Sequence, residues 1–342
     1  MQLPQVPYMS VPASALFSVQ PIPNAGRGLV AKESVAETIL LLESDPPVAH
    51  VIFRQYRKEV CAKCFHYDEG RTLPVRDQET GKFFCSRSCQ EAWIQRTGAV
   101  GRAVWKALQE FVQARRKALY STYNVLPTGS KPDVVSVKSA WRAAEAEVNR
   151  LRAASAAKKR LAQQWTELVD PDVLGYLLSG IVSLSRTPQR LDEVRALAMD
   201  ETPYKSAEDL VTHCQAYAQL ASILPPEVQD YCTSDICQVL IKGGSHNAFG
   251  IRAGSEDGEE YVGYGLFPTA SYFNHSCDPN VAKQRMGECW SFRANRDVGV
   301  GEQCCISYLG GDEKDLNVSE RRARLQDAWG FICACERCKG EQ

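Results

Sequence analysis

Apolar positions in the middle of this chain recur every three to four residues. Trp141, Ala144, Val148, Leu151 and Ala154 fall on one helical face, and Leu161, Trp165 and Leu168 repeat the spacing. Lys158-Lys159-Arg160 between them reads as a solvated helix face rather than a targeting patch. "VDPDVLGYLLSGIVSL" (169–184) and "SAEDLVTHCQAYAQLASIL" (206–224) predict further helices. The second has Ser206 as N-cap and Asp209 three residues on, a variant of the capping box. On either side of this helical stretch, about 90 to 240, the runs are short and strand-like. "ALFSVQ" (15–20) and "ETILLLES" (37–44) flank the proline- and glycine-punctuated turn "PIPNAGRG" (21–28). After about 238, strands are predicted at "QVLIKGG" (238–244), in a hairpin around "AGSEDGEEYVGYG" (253–265), at "CWSFRA" (289–294) and at "EQCCISY" (302–308). "VSERRARLQDAW" (318–329) is the last predicted helix. No internal repeat is evident. The order is strands, a small cysteine-rich module, a helical insert, strands and a cysteine-rich tail, an α+β class.

At 342 residues the chain is long enough for two or three structural units. Its 44% hydrophobic and 24% charged residues are ordinary for a soluble globular protein. A net charge of -1 gives no general pull toward nucleic acid or an anionic membrane, so any such contact must be local. The first twenty residues lack a basic n-region and are broken by prolines, which does not read as a signal peptide. The longest aliphatic run, Ile39-Leu40-Leu41-Leu42, is far short of a membrane span. The expectation is an intracellular protein of the cytoplasm, the nucleus or both, with no membrane partner.

Fourteen cysteines change this bland picture. Without a secretory signal, metal sites or buried thiols are the default over disulfides. Cys61-x2-Cys64 and Cys85-x3-Cys89 supply four thiolates in two short-spaced pairs, the usual way to build closed tetrahedral zinc. His66 is near enough to compete, though four cysteines leave it unnecessary. Cys333-x-Cys335-x2-Cys338 has only three ligands and needs a remote fourth. Cys277, in "SYFNHSCDPNV" (271–281), is the best-placed candidate. A rival reading pairs His275 with Cys277 as base and nucleophile. Side chains two apart on an extended segment share a face, so the pairing is geometrically feasible. No orienting carboxylate is evident, however, and a thiolate committed to zinc cannot also attack.

"GRG" (26–28), "NHSCDPN" (274–280), "GEQCCISY" (301–308) and "CACERC" (333–338), in this order, resemble the SET-domain protein lysine methyltransferases. The four-cysteine module, the helical insert and "SERRARLQDAWGFICACERC" narrow the resemblance to the SMYD family, in which a MYND zinc finger interrupts the SET domain. It covers nearly the whole chain. It implies residues 1–58 as the N-terminal part of the SET domain and 59–94 as a MYND-like module. Residues 95–237 would be the helical insert, 238–312 the C-terminal SET core with its pseudoknot, and 313–342 a post-SET helix and zinc tail.

Two departures matter. Four of the eight usual MYND ligands are missing, leaving Cys61, Cys64, Cys85 and Cys89 as a single-zinc module. The family's helical-repeat C-terminal domain is not in this sequence.

The resemblance further implies S-adenosylmethionine as methyl donor, two structural zinc ions, and a histone or other protein lysine as substrate. By it, Gly26, Arg27 and Gly28 shape the backbone under the donor's methionine end. Asn274, His275 and, more weakly, Ser271 hold the donor, and Phe331 stacks on adenine. Tyr308 places its hydroxyl beside the transferring methyl, touching donor and amine. Phe249 and Trp329 line the lysine channel. The competing classes are an inactive SET and zinc scaffold that binds proteins, and a zinc-finger nucleic-acid binder. The charge of -1 and the reduced finger weaken the latter.

Overall fold

The computed structural model describes residues 11–115, 130–153, 168–253 and 260–341. Ala154, Leu161, Trp165 and Lys158-Lys159-Arg160 lie outside them, as does the hairpin tip 254–259. The chain divides into two compact units. One combines Met1–Pro47, Asp192–Ala198 and His246–Gln342; the other combines Val48–Leu191 and Met199–Ser245.

In chain order, strands β1 (Phe17–Ile22), β2 (Gly26–Ala31), β3 (Leu40–Glu43), β4 (Ala49–Ile52), β5 (Val75–Arg76) and β6 (Phe83–Phe84) come first. Helices α1 (Arg87–Ala114), α2 (Val134–Ala153), α3 (Pro171–Arg186), α4 (Arg190–Arg195), α5 (Ala207–Ile223), α6 (Pro226–Gln229) and α7 (Ser234–Asn247) follow. Then come β7 (Ala248–Arg252), β8 (Tyr261–Leu266), β9 (Asn274–His275), β10 (Val281–Met286), β11 (Cys289–Ala294) and β12 (Gln303–Ile306). Helices α8 (Val318–Trp329) and α9 (Glu336–Gly340) close the chain. No helix among the described residues is long and apolar enough to cross a membrane.

The first unit is built on a sheet of order β1-β2-β12-β9. β1 and β2 pair antiparallel from Phe17↔Ala31 to Ile22↔Gly26, and β12 adds antiparallel to β2 through Gln303↔Val30 and Cys304↔Leu29. β9 then adds parallel to β12 through Cys305↔Asn274 and Ile306↔His275. A parallel pair needs a crossover, and here it contains the β10–β11 hairpin, itself extended by β3. β7 and β8 form a second hairpin from Ala248↔Leu266 to Arg252↔Tyr261. The core is aromatic: Phe273 stacks on Phe292 with centroids 4.4 Å apart, and Phe249 meets Phe267, Trp290 and Phe292. Each fully buried ring contributes about 1.5–3 kcal/mol, so this cluster fixes the sheet around β9.

The second unit holds the first cysteine module and the helices. Cys61, Leu73, Phe83, Phe84 and Trp93 pack as one small core. Ser86 caps α1 by accepting from Cys89 N–H at 3.2 Å. Trp141 is buried in α2 and donates its indole N–H to Tyr204 at 2.7 Å. At α5, Ser206 accepts from Asp209 N–H at 3.2 Å. The Asp209 carboxylate reaches back to Lys205 N–H at 2.9 Å instead of the cap residue's own N–H, a capping box offset by one residue.

One expected strand is overturned. "QVLIKGG" belongs to α7, not to a strand. A short apolar run has no decisive period of its own, and here the residues before it settle the matter. Ile236, Cys237, Leu240 and Ile241 are buried on one helical face. Tyr176 of α3 donates to Leu240 O at 3.0 Å.

Candidate functional site

Residues 274–280 are pinned to β12 by their own amides. Asn280 is buried, accepts Cys305 N–H at 2.8 Å, and donates to Glu302 Oε1 at 2.8 Å and Gln303 O at 2.9 Å. Nothing in sequence distinguishes this structural amide from Asn274.

His275 uses both ring nitrogens. Nδ1 accepts the Tyr308 backbone N–H at 3.0 Å, so Nε2 carries the proton of the neutral ring. Nε2 lies 3.2 Å from Cys277 Sγ and donates to it. An imidazole that donates to a sulfur cannot deprotonate it, and the nucleophile reading falls. The same ring ties the Cys277 sulfur to the backbone of Tyr308.

Tyr308 is half-buried and donates its hydroxyl proton to Phe273 O at 2.8 Å. Burial holds its phenol above the ordinary range, so it stays protonated at neutral pH. With the proton directed at Phe273, its oxygen lone pairs remain available to a ligand N–H. Trp329 stands 5.3 Å from the Tyr308 ring; Phe331 stands 6.0 Å from His275 and 6.3 Å from Tyr308. The chain leaves α8 at Gly330, in the left-handed conformation (φ 76°), which delivers Phe331 beside His275. Phe249 is not in this ring group. It reaches it through Phe292 and Phe273, whose carbonyl holds Tyr308.

The "GRG" residues begin β2 rather than lying wholly in the turn. Gly26, at φ +72°, starts the strand. Asn274 Nδ2 donates to Arg27 O at 3.1 Å, and the Arg27 guanidinium donates to Ala196 O and covers the Tyr272 ring at 5.4 Å. A Cβ at Gly28 would stand 2.6 Å from both Asn274 Nδ2 and Gln303 Nε2, so any larger residue there would push these two amide ends aside. Gln303 Nε2 is buried without a partner, and such an atom costs about 1–3 kcal/mol. An orphan donor in a cradle kept open by glycine suits a ligand carrying an acceptor group, as a carboxylate does. The sequence does not mark Gln303, because its place opposite β2 comes from the pairing of two strands far apart in the chain. Ser271 donates to Phe267 O at 2.9 Å and Asn247 O at 3.1 Å, so its proton is shared between carbonyls.

All fourteen cysteines are unbridged, and eight gather into two sets of four: Cys61, Cys64, Cys85, Cys89 and Cys277, Cys333, Cys335, Cys338. Within each set every sulfur lies within 4.8 Å of the others. Sulfurs 2.3 Å from a tetrahedral zinc stand about 3.8 Å apart. Cys64–Cys85 at 3.6 Å, Cys85–Cys89 at 3.5 Å, Cys277–Cys333 at 3.8 Å and Cys277–Cys338 at 3.5 Å all fit that edge. His66 is not in the first set. Crowded sulfurs share protons: a hydrogen bond from Cys64 pulls Cys61 down to about 5, and one from Cys277 pulls Cys333 down to about 3.

The second set has a basic surround that the sequence analysis does not single out. Arg321 is buried and reaches Cys338 Sγ at 3.5 Å and Glu341 at 2.6 Å. Arg322 donates to Cys333 O at 3.0 Å and Cys338 O at 3.2 Å. With zinc bound, these guanidiniums would offset the negative charge of four thiolates, and they orient the loop that carries the cysteines.

The sequence profile of the SET domain matches residues 26–309. The chain belongs to the SET-domain family. It is similar to the potential protein lysine methyltransferase SET6 of Saccharomyces cerevisiae, 27% identical over 96% of each chain. It is also similar to human histone-lysine N-methyltransferase SMYD3, 44% identical over 23% of this chain and 18% of that protein. The crystal structure of the SET domain of LSMT bound to lysine and AdoHcy is 15% identical over 94% of this chain and 54% of that one, with a TM-score of 0.29. The four cysteines within 61–89 fit a MYND-like module inside the SET region.

Proposed function

We propose that this chain is an S-adenosylmethionine-dependent protein-lysine N-methyltransferase with two structural zinc sites. The observation that carries the reading is the gathering of Asn274, His275, Tyr308, Trp329 and Phe331 at the parallel contact of β9 with β12. When bound, the donor supplies an activated methyl group on a sulfonium. The chain's own residues have a positioning task. A lysine at its reference pKa is neutral in roughly one molecule in 2,500 at pH 7. The aromatic walls of Tyr308, Trp329 and Phe331 exclude water and so favour the neutral amine. Tyr308, held as a neutral phenol, accepts an N–H from that amine and directs its lone pair along the transfer line. Gly28 and the Gln303 amide receive the donor's carboxylate end, Asn274 holds β2 against it, and the Phe331 ring meets its adenine. Phe249 sits farther back and acts on the amine's surroundings only through Phe292 and Phe273, whose carbonyl holds Tyr308.

Incubation with labelled S-adenosylmethionine and a panel of proteins tests the activity. Absence of both transfer and donor binding would leave a SET and zinc scaffold.

Two smaller predictions arise here. Asn274→Ala should weaken donor affinity by about tenfold, since it cuts the tie to Arg27 O beside the Gly28 cradle. Equal affinity by calorimetry for variant and wild type would reject the assignment. Metal analysis of the folded chain should return close to two zinc ions, one per four-cysteine set. One ion, or three, would show a ligand set to be wrong.

A further inference from the structure

A pocket of about 120 Å³ lies within the second unit, and no residue of the ring group lines it. Four stretches of chain meet around it: β4 and the residues after it, the first cysteine module, α1 and the start of α3. Buried Val51, Val60, Leu108 and Val112 make much of its lining apolar. Arg54, Lys82 and Trp105 also line it, each half-buried.

We infer that this pocket binds a small organic carboxylate with a compact apolar body, its carboxylate held by the Arg54 guanidinium. Two independent observations point to an occupant. Arg54 Nη1 is buried and has no hydrogen-bond partner. A guanidinium N–H shut off from water is costly to leave unmet, and its planar fork suits a carboxylate. The second observation is Gly175, buried in the interior of α3, where alanine is the better helix former. Sterics do not exclude alanine there. Among the described residues, an added Cβ would meet only Val51 Cγ2, at 3.7 Å, which is ordinary contact. The missing side chain leaves room in the pocket.

Room of this size suits one small body, since an apolar cavity of about 150 Å³ admits benzene. Apolar walls with a few placed polar groups are the usual make-up of a ligand site. An inorganic anion could meet Arg54 but would leave the apolar lining uncovered. Lys82 Nζ, 3.5 Å from the centre of the Trp105 ring, puts a second cation on the lining. Asp172 is the opposing carboxylate in the described lining. Its two oxygens accept the Arg54 backbone N–H at 2.9 and 3.2 Å, and burial pushes its carboxyl up to about 7, which lessens its repulsion of an anion. Val60 and Ala62, on either side of Cys61, line the pocket too, so an occupant would tie the first cysteine set to α1 and α3.

The test uses the zinc-loaded full chain, with benzoate as probe and benzamide as its uncharged counterpart. Calorimetry should show saturable benzoate binding with a dissociation constant on the order of 1 mM. Benzamide should bind about tenfold more weakly or worse, because it lacks the charge that the guanidinium answers. Arg54→Met keeps an unbranched apolar stem without the guanidinium and should weaken benzoate about tenfold. Gly175→Val fills the pocket from α3 and should abolish binding. Metal analysis of both variants should return the wild-type zinc content. If Gly175→Val does not fold, Arg54→Met and benzamide still decide. Absence of saturable benzoate binding would mean that the pocket holds only water, and overturns the inference. Equal affinity for benzamide, or unchanged benzoate affinity in Arg54→Met, overturns it as well. So does a short peptide ending in phenylalanine that binds far more tightly than benzoate, which would make the pocket an anchor for a partner chain. Neither donor binding nor methyl transfer is read, so this inference fails or holds apart from the proposed activity.

Discussion

Cys338→Ser should remove one metal from the chain and most of its affinity for S-adenosylmethionine, although Cys338 is not placed to touch that ligand. Structural zinc contributes on the order of 10 kcal/mol to folding of the segment it holds, so opening one closed tetrahedral site is a large local loss. The path from there is short. Cys338 Sγ lies 3.5 Å from Cys277 Sγ, which accepts from His275, whose other nitrogen holds the Tyr308 N–H. Arg321, buried against Cys338, loses part of its anionic surround at the same time. Phe331 sits two residues before Cys333 and loses its fixed place beside His275. The combined effect predicts a greater loss of donor affinity than Phe331→Ala alone, roughly a hundredfold against tenfold. Cys61→Ser should also lose one zinc but leave donor affinity close to wild type, because its neighbours are Leu73, Phe83, Phe84 and Trp93. Calorimetry with S-adenosylmethionine, beside metal analysis of both variants, decides it. Equal donor affinity in the two would mean that the tail metal does not support the ring group.

Local signals were the most legible part of this chain. Ser206 and Asp209 announce a helix start through side chains that act on their own backbone, and "VSERRARLQDAW" matches α8 residue for residue. Cys61, Cys64, Cys85 and Cys89 declare a metal set by spacing alone. Cys277 is harder, because its partners are 56 to 61 residues away. What exposed it was a deficit, three cysteines needing a fourth, and no local pattern. "QVLIKGG" misled because its apolar residues suit either period, and the helix is decided by packing against α3. Asn280 and Arg321 were illegible for a different reason. An amide after a proline reads as turn, and an arginine within "SERRARL" reads as solvated, yet both are buried. Their burial follows from the β9–β12 pairing and the cysteine loop, contacts that no window of sequence contains.

Tyr308→Phe should cut turnover by about a hundredfold to a thousandfold while leaving the fold and donor affinity nearly intact. The hydroxyl does two things. It donates to Phe273 O at 2.8 Å, and removing a hydrogen bond of that kind costs about 1 kcal/mol of stability, within reach of a folded chain. It also leaves oxygen lone pairs facing the ring group, and the phenylalanine variant has none to offer the substrate amine. A positioned polar partner lost from a water-poor site costs about 3–4 kcal/mol of transition-state stabilisation, which is the expected fall in turnover. The rings themselves are kept, so Trp329 and Phe331 retain their neighbour and the wall stays dry. The backbone N–H of residue 308 still donates to His275, so the link to Cys277 survives. A loss confined to kcat, with KM and donor affinity unchanged, is therefore the signature of a group acting in the transition state. A variant that turns over like wild type would remove the Tyr308 hydroxyl from the mechanism. A variant that loses donor affinity in proportion to turnover would show that the hydroxyl holds the site together instead of aligning the amine.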